Sequence, residues 1–285
     1  MLASTETPRE KAKVFTRLLV AIDGSALAES ILPYALGICR ATHSQLTLVR
    51  VIDDNKQLAQ ASDYVDALAS RLGAEGLCVS AESDVASALL KEAARVPDTL
   101  VAMTTHGRSG VLGVLLGSVA MKVLRGGHDP ILLFRPPHSF VGEPTDPITI
   151  TRIVVPMGSG PSAESIGEQA ARLARVLGAE LVVVSVLDPR TLSATHAVSG
   201  DLSESSYVQN RAADLGKRHQ VAYSWETLHG AEPDQAIADF VGNDRGTMLA
   251  MVTTANAAPI TAAMLGSVTT GCLRKAGVPI LIRLP

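Results

Sequence analysis

The stretch LLGSVAMKVLRGGHDPILL, residues 115–133, returns as MLGSVTTGCLRKAGVPILI, residues 264–282. The two are offset by 149 positions. Working outward, RLLVAI (17–22) matches RIVVPM (152–157), and LTLVRVID (46–53) matches LVVVSVLD (181–188), both at an offset of 135. The chain is therefore one unit written twice, and the second copy carries a net 14 extra residues in its middle. Self-similarity on this scale means that each copy is a separate structural unit. The joint, RPPHSFVGEPTDPITIT (135–151), holds four prolines and no periodicity, as a linker does. The expected division is a flexible lead over 1–16, a first domain over 17–135, a linker over 136–151 and a second domain over 152–285.

Inside each copy, short aliphatic runs alternate with helical patterns. The first copy has runs at Leu18–Ile22, Leu46–Ile52, Leu77–Ala81, Thr99–Met103 and Ile131–Phe134. The second has them at Ile153–Val155, Leu181–Val186, Val221–Thr227, Met248–Val252 and Ile280–Leu284. Most are apolar throughout rather than alternating, which marks strands covered on both faces. Between them, the patterns predict helices over Ala26–Ala41 (capped by Ser25), Ser62–Leu72, Ala86–Arg95 and Val119–Leu124 (opened by Ser118). Strand–helix alternation implies a parallel sheet with right-handed crossovers. The fold class is α/β: two tandem Rossmann-like domains, each an open five-stranded parallel sheet flanked by helices. Ligands of such sheets bind beyond the carboxyl ends of the strands, where the strand order reverses.

Composition narrows the function. The 285 residues carry a net charge of −3 and only 3% aromatics. A basic footprint and a stacking platform for nucleic acid are both missing. The cysteines (Cys39, Cys78, Cys272) fit no metal or redox spacing, and the histidines form no HxH or HxxxH. The uncharged stretch Gly246–Leu273 is long enough to suggest a membrane span, but Asn256, Pro259 and six threonines interrupt it. It reads instead as a strand, a loop and a helix starting near Gly266. With a polar, mixed-charge start and no apolar leader, the expected location is cytoplasmic.

Three features of the first copy converge on one sheet edge. The first strand ends in Ile22-Asp23-Gly24-Ser25, where Asp23 can accept from a ligand or close a turn. The fourth ends in Met103-Thr104-Thr105-His106-Gly107-Arg108-Ser109-Gly110, with glycines that allow close backbone approach. Gly117-Ser118 then opens a helix, whose free N–H groups suit a phosphate or serve as a plain cap. Neither GxxxxGK[ST] nor GxGxxG occurs. His106 has no partner spacing for catalysis, Asp53-Asp54 reads as a turn, and Ser25 lies in no GxSxG elbow.

At these positions the chain resembles the universal stress protein family. That family's ATP-binding loop reads G-2x-G-9x-G-(S/T) after the fourth strand. Gly107, nine residues and Gly117-Ser118 match it, while Thr104 stands at its first glycine. LLVAIDGS, VRVID and VLRGGHDPILL also look like family segments. The resemblance implies an ATP site, or one for ADP or AMP, with Mg2+ carried on the phosphates rather than by protein ligands. It places Asp23 and the Val51 backbone at adenine and ribose, with Ala21 among the cofactor-binding residues. Met103 and Gly107 would line ribose and phosphate, Gly117, Ser118 and Val119 would hold the phosphates, Thr104 and Gly110 belong to the same cofactor-binding set, and Arg108 could reach a phosphate or stand solvated in the loop. In the second copy Gly158 stands for Asp23, Asn256 for Gly107 and Pro259 for Gly110, and only Gly266-Ser267-Val268 remains, so a degenerate site is expected there. The implied function is a stress-type regulatory protein with an adenine nucleotide in the first domain, no catalytic residue, and no nucleic-acid or membrane partner. A ligand-free interaction protein and a slow ATP-hydrolysing enzyme are the alternatives. The last strands of the two copies are expected to pair within one chain about a pseudo-two-fold axis, and homodimer formation is left open.

Overall fold

In a computed structural model, residues 14–105, 116–127, 129–137, 140, 145–158, 161–190, 197–242, 244–252 and 266–283 are described. The first copy contains β1 (Arg17–Ala21), α1 (Ala26–Glu29), α2 (Leu32–Thr42), β2 (Gln45–Ile52) and α3 (Leu58–Leu72). It continues with β3 (Glu75–Ser80), α4 (Val85–Ala93), β4 (Thr99–Thr104), α5 (Ser118–Gly126) and β5 (Ile131–Phe134). The second copy contains β6 (Arg152–Pro156), α6 (Pro161–Leu177), β7 (Glu180–Leu187), α7 (Ala197–His219) and β8 (Tyr223–His229). After these come α8 (Pro233–Val241), β9 (Thr247–Val252), α9 (Ser267–Lys275) and β10 (Ile280–Arg283).

The strands form one sheet ordered β3-β2-β1-β4-β5-β10-β9-β6-β7-β8. Neighbours within each copy are parallel, and β5 meets β10 antiparallel with Leu132 opposite Leu281. In each copy the order reverses beside the first strand, between β1 and β4 or between β6 and β9. Adjacent crossovers leave there to opposite faces and open a crevice.

Alternation along the strands sends side chains to two apolar layers. Leu18, Leu48, Ile153 and Val183 pack on one side with α2, α3, α6 and α7, while Leu19, Val49, Val154 and Val184 pack on the other with α4, α5, α8 and α9. Each layer runs through both copies. Full burial of one such aliphatic side chain is worth about 1.5–3 kcal/mol, so the layers dominate the stability.

Both copies anchor their first strand the same way. Buried Arg17 donates to Thr99 Oγ1 (3.2 Å), Glu92 Oε1 (3.0 Å) and the Glu92 carbonyl (2.7 Å). Arg152 donates to Thr247 Oγ1 (2.5 Å) and the Val241 carbonyl (3.2 Å). The repeated arginine of RLL and RIV is thus a structural tie.

The linker docks on α2. Ile148 N–H donates to the Pro33 carbonyl (2.9 Å), and an added Cβ at Gly37 would lie 1.8 Å from the Ile148 carbonyl oxygen. Phe134 sits edge-on to Tyr34 (5.0 Å) and Phe140 (5.2 Å), and the Arg245 guanidinium lies 4.6 Å from the Phe140 ring.

Several expectations shift. The helix expected over Ala26–Ala41 is two helices, because Pro33 lacks the N–H that a continuous helix needs for the Glu29 carbonyl. Ser30 instead turns its N–H (3.2 Å) and hydroxyl (2.6 Å) onto the Leu27 carbonyl. The strand expected over Leu77–Ala81 starts earlier and that over Val221–Thr227 starts later; both are sheet edges with half-exposed residues. The extra residues of the second copy lie mostly between β7 and β8, where α7 runs 23 residues against 15 in α3. Gly246–Leu273 contains β9 and most of α9, and among the described residues no helix is long and apolar enough to cross a membrane.

Candidate functional site

The crevice between β1 and β4 opens into a cavity of about 270 Å³. Of the residues expected from the sequence, Ala21, Asp23, Val51, Met103, Thr104, Gly117, Ser118 and Val119 all line it. Gly107, Arg108 and Gly110, with His106 beside them, lie outside the described residues.

β1 delivers Asp23. Ile22 N–H still pairs with the Val49 carbonyl (2.9 Å), and Gly24 then turns the chain at φ 85°. Glycine takes this positive φ without the strain that a Cβ would add. The turn lets Asp23 Oδ1 accept from both the Ser25 N–H (2.9 Å) and the Ser25 hydroxyl (2.6 Å). Ser25 Oγ in turn accepts from Ala28 N–H (3.1 Å) and caps α1. Asp23 is half-buried, and Ala28 is part of the cavity wall.

β4 and α5 supply the opposite wall. Thr105 N–H donates to the Phe134 carbonyl (3.0 Å), and the Thr105 carbonyl accepts from Gly117 N–H (2.7 Å). A Cβ at Gly117 would stand 3.1 Å from that carbonyl, so the close approach favours glycine. The N-cap of α5 is Gly117, which offers no side chain; Ser118, expected to be the cap, is the first helical residue. The first bond within the helix runs from Met121 N–H to the Gly117 carbonyl (3.0 Å). The N–H groups of Ser118, Val119 and Ala120 precede it and form the positive end of the helix dipole. Lys122 adds a cation 3.6 Å from Asp84, the N-cap of α4. The Ser87 hydroxyl, together with backbone N–H groups and Lys122, holds the Asp84 carboxyl below its ordinary range.

The sequence reading missed the apolar floor and far wall: Val49, Val85, Leu89 and Ala120, with Ile22, Ala28 and Thr105 at the edges. Val49 was legible in principle, since it shares a strand face with Val51. Val85 and Leu89 sit one turn apart on α4, but periodicity gives an apolar face without saying that it walls a cavity. Apolar side chains, one carboxylate and the backbone donors of α5 thus line the same cavity. Among the described residues no group of three or more His, Cys, Asp or Glu could hold a metal ion.

The second copy keeps the frame and changes the chemistry. Met157 N–H pairs with the Val184 carbonyl (2.8 Å), matching Ile22 with Val49, but Gly158 follows in place of the acid. Gly266 caps α9 without a side chain, as Gly117 caps α5. Over the second turn of α9, however, Asp234 of α8 packs so closely that a Cβ at Gly271 would overlap its carboxylate. Lys275 closes the contact with Asp234 (2.8 Å) and Glu232 (3.4 Å). Asn256 and Pro259 lie outside the described residues.

The sequence profile of the universal stress protein family matches the chain twice, over residues 15–135 and 149–283. No curated protein matches it in sequence. Among solved structures, a protein of unknown function from Pseudomonas aeruginosa PAO1 aligns with 96% of this chain and 94% of its own at 16% identity, with a TM-score of 0.66. A universal stress protein from Archaeoglobus fulgidus DSM 4304 aligns with 94% of this chain and 98% of its own at 17% identity, with a TM-score of 0.60. At these identities the likeness is one of fold. With its profile matching both copies, the chain belongs to the universal stress protein family.

Proposed function

We propose that the first copy binds ATP, or another adenine nucleotide, in the cavity between β1, β4 and α5, and that the protein acts as a nucleotide-responsive regulator. The observation that carries this reading is one cavity lined together by apolar side chains, the strand-end carboxylate of Asp23 and the uncapped N-terminus of α5. The apolar faces of Val49, Val51 and Met103 suit a base, and the Asp23 carboxylate suits a ribose hydroxyl. The N–H groups of Ser118 and Val119, with the Ser118 hydroxyl, suit phosphate oxygens. Gly107, Arg108 and Gly110 belong to the same reading through the family's loop pattern. Mg2+ would ride on the phosphates, since a hard cation bound this way needs few protein ligands.

Binding rather than turnover fits the described wall of α5. Asp23 is the one carboxylate among the described residues lining the cavity, its Oδ1 already accepts from Ser25, and no described His, Lys or Cys lines the cavity as a general base for attack on a phosphate. The second copy serves as a pairing partner: Gly158 supplies no carboxylate where Asp23 stands in the first.

Native protein should be denatured and the released small molecules identified by chromatography and mass spectrometry. An adenine nucleotide from wild type, absent from Asp23→Ala and Gly117→Val, supports the reading. A folded wild type that neither carries a nucleotide nor takes one up at millimolar ATP overturns it.

A further inference from the structure

We infer that Tyr64 and Glu29, which do not line the cavity, are positioning residues for the nucleotide: they hold α1, and through it Asp23 and Ala28, in the binding geometry. This inference rests on the proposed nucleotide site and adds to it the device that sets its adenosine end.

α1 has only four residues. One turn of helix does not hold itself together in water, because its nucleation cost exceeds what one or two hydrogen bonds return. It must be fixed from outside. Its start is fixed by Ser25, which bonds at once to Asp23 Oδ1 and to Ala28 N–H. Its end is fixed by Glu29, whose Oε1 accepts from the Tyr64 hydroxyl (2.7 Å). Tyr64 belongs to α3 and is itself seated, with the Arg50 guanidinium of β2 lying 5.4 Å from its ring centroid. The chain of contacts runs from β2 and α3, through Glu29 and Ser25, to the two residues of α1 and its turn that line the cavity.

The tie is durable. The Tyr64 hydroxyl is a donor throughout the physiological range, and burial and the bond to Glu29 push its ionisation further up. The bond reaches a carboxylate and is half-buried, the kind worth more than an average hydrogen bond. The second copy marks the contrast: it has no carboxylate at Gly158 and begins α6, a 17-residue helix, at Pro161. Its α6 is still tied to α7 at the matching place, by Arg211 and Glu164 (2.9 Å), so the difference between the copies is that only in the first does the tied helix lead back to a cavity carboxylate.

The test is a double-mutant cycle read by titration calorimetry with ATP and, separately, with inorganic triphosphate. Tyr64→Phe keeps the ring and removes one hydrogen bond. It should weaken ATP binding by about 3–10-fold, the range of one hydrogen bond, and leave triphosphate binding unchanged. Glu29→Gln, which retains an acceptor oxygen, should bind ATP within about two-fold of wild type, whereas Glu29→Ala should match Tyr64→Phe. In an Asp23→Ala background Tyr64→Phe should have almost no further effect. Amide exchange at Ser25 and Ala28 of the ligand-free protein should quicken in Tyr64→Phe while the core strands keep their protection. Equal losses for ATP and triphosphate, additivity with Asp23→Ala, or unchanged exchange at Ser25 and Ala28 would each overturn the inference while leaving nucleotide binding intact. A folded wild type that does not bind ATP overturns both.

Discussion

Gly37→Ala tests how the linker joins the two copies, because here two effects of opposite sign compete. Gly37 lies inside α2, and glycine to alanine in an exposed helix interior stabilises by about 1 kcal/mol. In this chain the new Cβ would stand 1.8 Å from the Ile148 carbonyl oxygen and 2.7 Å from its carbon. Both are backbone atoms, so no side-chain rotation relieves the contact. The linker must retreat by about 1 Å or more before the contact reaches van der Waals distance. Such overpacking costs about 1–3 kcal/mol. Retreat also breaks the Ile148 N–H to Pro33 carbonyl bond, worth about 1 kcal/mol. Set against the propensity gain, the expected net loss is about 2 kcal/mol, or about 3 °C in Tm for a chain of this size. Urea unfolding followed by far-ultraviolet circular dichroism measures it directly. A Gly37→Ala protein as stable as wild type, or more stable, refutes the docking of the linker on α2.

Two further outcomes follow from the buried polar groups. Glu92→Ala strands the buried Arg17 guanidinium and should cost about 3 kcal/mol in urea unfolding, whereas the double variant Arg17→Met, Glu92→Leu should recover most of it. Burial pushes the Tyr34 hydroxyl up to about 12, above its unfolded value near 10, with Arg245 opposing the shift. Folding therefore favours the protonated phenol: the contribution is complete below pH 10 and is lost as pH rises from 10 to 12. Tyr34→Phe should flatten the alkaline fall in stability over that window by up to about 2 kcal/mol, and an unchanged pH profile would contradict the assignment.

What the sequence made legible follows the physics of burial. β1, β2, β4, β5 and their counterparts are covered on both faces, so their composition alone announces them. β3 and β8 are edges with partly exposed faces, and there the reading placed the ends wrongly. The break between α1 and α2 was hidden because Ala26–Ala41 has a continuous apolar pattern, and Pro33 acts through a missing hydrogen bond rather than through hydrophobicity. Asp23, Gly117 and Ser118 were readable as strand-end and helix-start chemistry. The wall formed by Val85 and Leu89 was not, since an apolar helix face looks the same over a core and over a cavity. Tyr64 and Glu29 are 35 positions apart, and only the packing of α3 beside α1 brings them together.

The central claim is that a duplicated chain holds one nucleotide site. Its most direct measurement is the stoichiometry of ATP binding by titration calorimetry on the full chain, with Asp23→Ala titrated alongside. Wild type should take up one nucleotide per chain, and the variant should show a marked loss of affinity. Two nucleotides per chain, none, or one site indifferent to Asp23 would contradict it.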